Sequence, residues 1–253
     1  MYPWRRHCAA LSVNLDLRVK VPSAVELRIR IPNRISPREA IILQKKLAPL
    51  VKEESDLPSS ITHLVGCDAT YIRGTTIAAA TLVDYEKLDL VRTRVVAEKT
   101  RFPYVPSLLA FREGPVVLRA IRSLKPRSCV CMVDAHGLAH PRRFGLACFV
   151  GLALDQPTIG VAKNLLYGRV RGNEVLDKDD HPIAEILRLP DRGKTVFVSV
   201  GHKISLKDAV DIVKHCLTAH GPTPIALAHE EVTKQKWLLG PSTNRPMSTG
   251  QLA

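Results

Sequence analysis

With 45% hydrophobic residues in 253, the chain has enough apolar surface to bury a core, which excludes a wholly disordered protein. Its 37 Lys and Arg against 24 Asp and Glu leave a formal charge of +13, a balance suited to a polyanionic partner such as nucleic acid and also met in basic proteins that bind none. Six scattered cysteines with no CxxC pair exclude a disulfide framework and a thiolate zinc site, and no apolar run approaches the ~20 residues of a bilayer span.

Residues 1–35 read as an N-terminal extension without a clean period. Trp4-Arg5-Arg6 is followed by no apolar stretch of signal-peptide length before Asn14 and Asp16, so no export signal is read. Buried reduced thiols and a cytoplasmic location are expected. Ser36-Pro37-Arg38-Glu39 combines an N-cap hydroxyl, a proline at the first helical position and a capping-box glutamate, which predicts a helix start. Pro49 should end or kink that helix. Leu64-Val65-Gly66-Cys67-Asp68 reads as a strand, and residues 76–83 and 88–96 as two more joined by a turn, which makes an antiparallel meander.

A loop rich in proline and aromatics follows, Arg101-Phe102-Pro103-Tyr104-Val105-Pro106. The next helix is predicted with Pro115 near its first turn and Val116, Val117, Ala120, Ile121 and Leu124 on one face. Cys129 to Val133 is a short apolar strand ending in Asp134, and a further helix is predicted over 141–154. Residues 158–162 form a strand ending in Lys163, and 195–200 one ending at Gly201-His202. A helix starting at Ser205 should stop before Gly221-Pro222. Residues 36–236 are thus expected to make one catalytic domain, and 237–253 a flexible polar tail.

Three hairpin strands followed by alternating helices and strands imply an α/β fold, a ribonuclease-H-like mixed sheet flanked by helices. Asp68 interrupts the first strand, Glu113 opens the helix after the meander, and Asp134 closes the fourth strand. In that topology the three can converge. Converging carboxylates repel one another, and a bound Mg²⁺ or Mn²⁺ relieves them and can polarise a phosphodiester. Taken singly, each acid is as well read as a helix cap or a surface charge.

The residues then match a family. Phe102-Pro103-Tyr104-Val105-Pro106 leads to Leu109-Ala110-Phe111-Arg112-Glu113. Val133-Asp134-Ala135-His136-Gly137 runs on to His140-Pro141-Arg142-Arg143-Phe144-Gly145, and Pro157-Thr158-Ile159-Gly160-Val161-Ala162-Lys163 follows. Together these resemble endonuclease V, the deoxyinosine 3′ endonuclease, over roughly residues 65–168. The resemblance implies Mg²⁺-dependent cleavage of the second phosphodiester 3′ to deoxyinosine, leaving a 3′-hydroxyl and a 5′-phosphate. It implies that Asp68 and Asp134 hold metal, with Glu113 completing the cluster, and that Lys163 and His140 sit near the scissile phosphate. His202 matches a family histidine near the metal.

By the same resemblance Tyr104 is the wedge that replaces a displaced base, and a tyrosine between two prolines is stiff enough to act as one. Pro103, Pro106, Ser107, Leu109, Ala135, His136 and Leu166 are assigned to the DNA surface. Arg142 and Arg143 are expected to neutralise backbone phosphates. His136 and His140 have the spacing of zinc ligands, but Gly137 and Pro141 oppose a helix there, so hydrogen bonding to phosphate or to water on the metal is preferred. The row Arg119, Arg122 and Lys125 reads either as a phosphate contact or as a solvated helix face. The family usually carries glycine at Ser107 and Ala135, which puts inosine selectivity in question, and an arginine at Ala226.

The partner expected is therefore DNA containing deoxyinosine, bound by a monomer with no membrane involved. An inosine-specific endoribonuclease or a structure-specific nuclease is the alternative. A non-catalytic nucleic-acid-binding protein is opposed by the acids themselves, since clustered negative charge gains nothing for phosphate binding alone.

Overall fold

Ser36 caps the first helix as its sequence demands. Its hydroxyl accepts from the Glu39 amide and the Glu39 carboxylate accepts from the Ser36 amide, opening α1 (Pro37–Leu47). Pro49 lies in a short 3₁₀ turn, Ala48–Leu50, that ends the helical run. The computed structural model describes residues 35–190 and 193–239. The predicted extension up to residue 34, the reading of no export signal and the predicted tail from residue 240 on lie outside the described residues, whereas residues 237–239 of that tail belong to a helix, Thr223–Leu239.

The meander consists of β1 (His63–Ile72), β2 (Thr75–Asp84) and β3 (Leu90–Lys99), paired antiparallel. Then come α2 (Leu109–Leu124), β4 (Cys129–Val133), α3 (Leu146–Leu154) and β5 (Thr158–Ala162). Three antiparallel strands follow, β6 (Arg169–Arg171), β7 (Glu174–Leu176) and β8 (Pro182–Arg188), and then β9 (Thr195–His202). Next is α4 (Leu206–His215), and after it a two-residue pairing of β10 (Leu217–Thr218) with β11 (Gly221–Pro222) leads into α5 (Thr223–Leu239).

The main sheet runs in the order β3-β2-β1-β4-β5-β9-β8-β7-β6. β1, β4 and β5 are mutually parallel and β9 returns antiparallel to β5. The meander beside two parallel strands is the expected ribonuclease-H-like arrangement. All five cysteines among the described residues are buried and free. No described helix is long and apolar enough to cross a membrane.

Three expectations need correction. The helix predicted over 141–154 begins only at Leu146, because the preceding chain is folded back on itself. There the Gly145 amide donates to the Gly137 carbonyl at 3.0 Å, and Arg143 has φ +48°. α2 starts at Leu109, more than a turn before Pro115, so Pro115 is inside the helix and Glu113 lies in its second turn rather than at its start. α4 stops at His215, before Gly221-Pro222 as predicted. α5 and the hairpin strands β6 to β8 have no counterpart in the predicted elements.

Helices cover both faces. α2 and α3 pack together on one, where a Cβ on Gly114 would sit 2.4 Å from the Phe149 ring. α5 lies against β1 and β2 on the other, close enough that a Cβ on Gly66 would meet the Pro224 carbonyl at 2.1 Å. Thr81 from β2 donates to the same carbonyl at 2.8 Å. Gly66→Ala is therefore expected to destabilise the fold by about 3 kcal/mol, since backbone rather than a flexible side chain must move. A melting temperature within 2 °C of wild type, a shift of less than about 1 kcal/mol for a domain this size, would contradict that close approach.

Candidate active site

β1 alternates so that Asp68 points to the same face as Gly66, toward α5. Asp134 follows β4, and its amide extends the parallel ladder by donating to the Cys67 carbonyl at 3.0 Å. The two carboxylates meet there at the end of the sheet. His229, one residue past the buried Ala228 of α5, comes over them and its Nδ1 lies 2.7 Å from Asp68 Oδ2. Ligand atoms of Asp68, Asp134 and His229 all lie within 4.8 Å of one another.

Glu113 approaches from α2 on the other side. Its buried carboxylate accepts a hydrogen bond from the Tyr71 hydroxyl. The Arg112 guanidinium lies over the Tyr71 ring, 4.2 Å from its centroid, and donates to the Phe102 carbonyl at 2.8 Å. This side-chain chain joins the proline-aromatic loop to the third acid.

Burial pushes Glu113 up to about 8, and the charges of Asp68 and Asp134 add to it while the Tyr71 hydroxyl and Arg112 oppose. Asp68 is also raised, first by burial and then by Asp134, against the hydrogen bonds of His229 and the Ala69 amide. Lys163 follows β5, and its Nζ sits 2.6 Å from Asp134 Oδ2 with more than half the side chain exposed. Two converging, half-buried carboxylates with an imidazole alongside are a donor set that fits a hard divalent cation.

Tyr104 stands out from this end of the sheet, 70% exposed, with Pro103 and Pro106 exposed beside it. Below it a cavity of about 380 Å³ reaches to Asp134 and Lys163. Of the residues predicted at a DNA surface, Tyr104, Ser107, Leu109, Ala135, His136 and Leu166 line it. Ser107 holds φ +63°, a left-handed conformation that costs a serine about 1 kcal/mol more than a glycine. Arg142 offsets this by donating to the Ser107 hydroxyl at 2.6 Å and to its carbonyl at 2.8 Å. His136 Nε2 lies 2.8 Å from the Asn164 carbonyl, and burial lowers its pKa.

Several predicted site residues are placed elsewhere. His140 also lines the cavity, but it is only 2% exposed and both ring nitrogens are taken, by the Ser107 carbonyl at 2.9 Å and the Arg142 amide at 3.1 Å. Burial lowers it to about 4, and the ring braces the loop from within the cavity wall. His202 lies at the opposite end of the sheet, level with Thr158 at the start of β5, where it accepts from the Lys52 amide and sits 3.5 Å from Asp155.

Arg142 and Arg143, read as phosphate contacts, also have partners within the fold. Arg142 Nε donates to buried Gln44 at 2.6 Å, and Arg143 bridges Glu53 at 2.6 Å and Asp177 at 3.2 Å. From the predicted basic row, Arg119 pairs with Glu98 and Arg122 donates to the Ala153 carbonyl. His229 is the site residue that sequence reading missed. A signal for it existed in the spacing of Ile225, Ala228 and Val232, a buried helical stripe immediately flanking it.

The family model for Endonuclease V matches residues 45–230. The endonuclease V of Desulfurococcus amylolyticus is 39% identical over 202 residues, 76% of this chain and 91% of that protein. The crystal structure of endonuclease V from Streptomyces avermitilis superposes with a TM-score of 0.75 at 32% identity, covering 83% of this chain and 98% of that one. Endonuclease V of Ciona intestinalis, solved with a 24mer DNA containing an inosine followed by a ribo-adenosine, gives a TM-score of 0.74 at 26% identity over 80% of this chain and 98% of that one.

Proposed function

The chain belongs to the endonuclease V family, and from that premise we propose that it is a repair endonuclease that recognises deoxyinosine in DNA and cuts the second phosphodiester on its 3′ side. The observation that carries this reading is the meeting of Asp68, Asp134 and His229 beside a cavity overhung by exposed Tyr104. Asp68, Asp134, His229 and the cavity call for no residue from a second copy, which supports a monomer as the working form. Its buried free thiols suit the reducing cytoplasm.

Asp68, Asp134 and His229 would hold Mg²⁺, with Mn²⁺ as a substitute and Glu113 at the margin of the site. When bound, such an ion polarises the phosphodiester and makes water a better nucleophile. The chain's own groups do the positioning. Tyr104, stiffened by Pro103 and Pro106, fills the gap in the base stack, and the displaced base enters the cavity past Ser107, Leu109, Ala135, His136 and Leu166. Lys163 Nζ, fixed beside Asp134, supplies a positive charge to a non-bridging phosphate oxygen. The bond that breaks joins phosphorus to the 3′-oxygen, so the oxygen of water stays on a 5′-phosphate and the upstream nucleotide keeps a 3′-hydroxyl.

A cleavage panel tests this. With Mg²⁺, a duplex containing one deoxyinosine should be nicked at its second 3′ phosphodiester, and the matched adenine duplex left whole. Equal cutting of both overturns the reading, and cutting confined to inosine-containing RNA transfers it to the ribonuclease alternative.

The raised Glu113 gives a pH signature. Its carboxyl loses a proton near 4.5 when unfolded and only near 8 when folded, so between those values the unfolded chain binds fewer protons. Stability of the metal-free protein should therefore fall as pH rises from about 5 to 8, to an extent set by that shift. Added Mg²⁺ should flatten the trend by favouring the ionised site. Thermal melts across pH with and without chelator check it, and a metal-free melt that rises steadily to pH 8 contradicts it.

A further inference from the structure

Beyond the cavity under Tyr104, a second one of about 540 Å³ opens from Asp134 on the other face of the sheet. Leu189, Val196 and Ile225 give it apolar walls, Lys194, His220 and Glu230 line it as exposed residues, and Asp134, Lys163 and His229 join it to the acid cluster. We propose that it is a subsite for the nucleotide on the 3′ side of the cleaved bond, an inference that rests on the endonuclease reading above.

The two cavities meet at Asp134 and Lys163, which line both. β5 divides them by its alternation, with Ala162 lining the first and Val161 the second. A strand whose lesion base occupies the first cavity, and whose cleavage position lies at the acids, must continue across the end of the sheet. The next surface it meets is the second cavity. Since the lesion is 5′ of the cut, what arrives there is the downstream nucleotide, the one that keeps the 5′-phosphate.

The chemistry of the walls suits that occupant. An apolar floor receives a base or sugar, and Lys194 and the His220 ring stand at the rim beside Glu230, where the strand's phosphate would pass. The size is within the range of pockets that take molecules of this class. Ala226 lines the cavity at a position where the family resemblance calls for arginine, and its short side chain leaves the space open.

The test uses inosine duplexes that differ only at the nucleotide immediately 3′ of the cut, which is either normal or an abasic spacer. For the wild-type protein the spacer should raise KM about tenfold and leave kcat within about twofold. Ala226→Trp, which fills the cavity, should raise KM about tenfold on the normal strand and be indifferent to the spacer. Its melting temperature and its metal affinity, measured by Mn²⁺ titration, should match wild type. If it does not fold, Ala219→Trp, at another lining position, fills the same space. Equal KM for wild type on both strands overturns the subsite while leaving the endonuclease reading intact. Failure to nick either strand overturns both.

Discussion

Asp134→Ala is expected to lower the rate of inosine-strand nicking by at least about a thousandfold, a loss of roughly 4 kcal/mol of transition-state stabilisation. Asp134 is the group on which the rest of the site depends. It lies within ligand distance of Asp68 and His229, holds Lys163 at 2.6 Å and lines both cavities. Without it two donors remain, and Lys163 has nothing to fix it beside the phosphate. Stability should respond in the opposite sense. Asp134 repels Asp68 and Glu113, both of which are raised partly by its charge, so its removal should leave the melting temperature unchanged or higher. Single-turnover kinetics and a thermal melt on one preparation decide it. A folded variant that nicks at the wild-type rate would show that the cluster is not the reaction centre.

Tyr104→Ala should slow nicking of duplex DNA by about ten- to a hundredfold and leave stability untouched. At 70% exposure the ring contributes little to the core, so a melt indistinguishable from wild type is expected. The cost falls on the substrate. Drawing a base from the stack takes a few kcal/mol, and an aromatic that enters the gap returns part of it. Single-stranded DNA with the same lesion has no such gap, so there the loss should be less than about threefold. Tyr104→Phe should retain most of the duplex activity, because the insertion needs the ring and not the hydroxyl. Equal losses on both substrates would move Tyr104 from parting the stack to contacting the strand.

The part of this site that could be read from residues alone is the part encoded locally. Asp68 and Asp134 end apolar runs whose strand character is strong in the sequence, and parallel pairing of β1 with β4 then brings them together. The capping box at Ser36 and the N-cap at Ser205 are equally local, and both are formed. Glu113 was misplaced along its helix because Pro115 looks like a helix opening, whereas α2 accepts it internally. The hairpin of β6 and β7 went unread although Gly172, at φ +64°, marks its turn.

Histidines were the hardest to read. Nothing in the local sequence separates His202, buried at the far end of the sheet, or His140, bonded to the Ser107 carbonyl, from a site histidine. His229 was hidden for the converse reason. Gly221-Pro222 and Pro224 read as breakers, yet they precede a helix of 17 residues, and Pro224 falls in its opening turn, where a missing donor costs nothing.

The docking of α5 on Gly66 also sets when the enzyme can first act. A chain synthesised only as far as Pro222 already carries Asp68, Glu113 and Asp134, but it has neither His229 nor the helix that covers that face of β1. If His229 completes the metal site as proposed, a chain in translation carries its acids before it has that residue. Nicking of nearby nucleic acid is then expected only once the helix Thr223–Leu239 has emerged and settled.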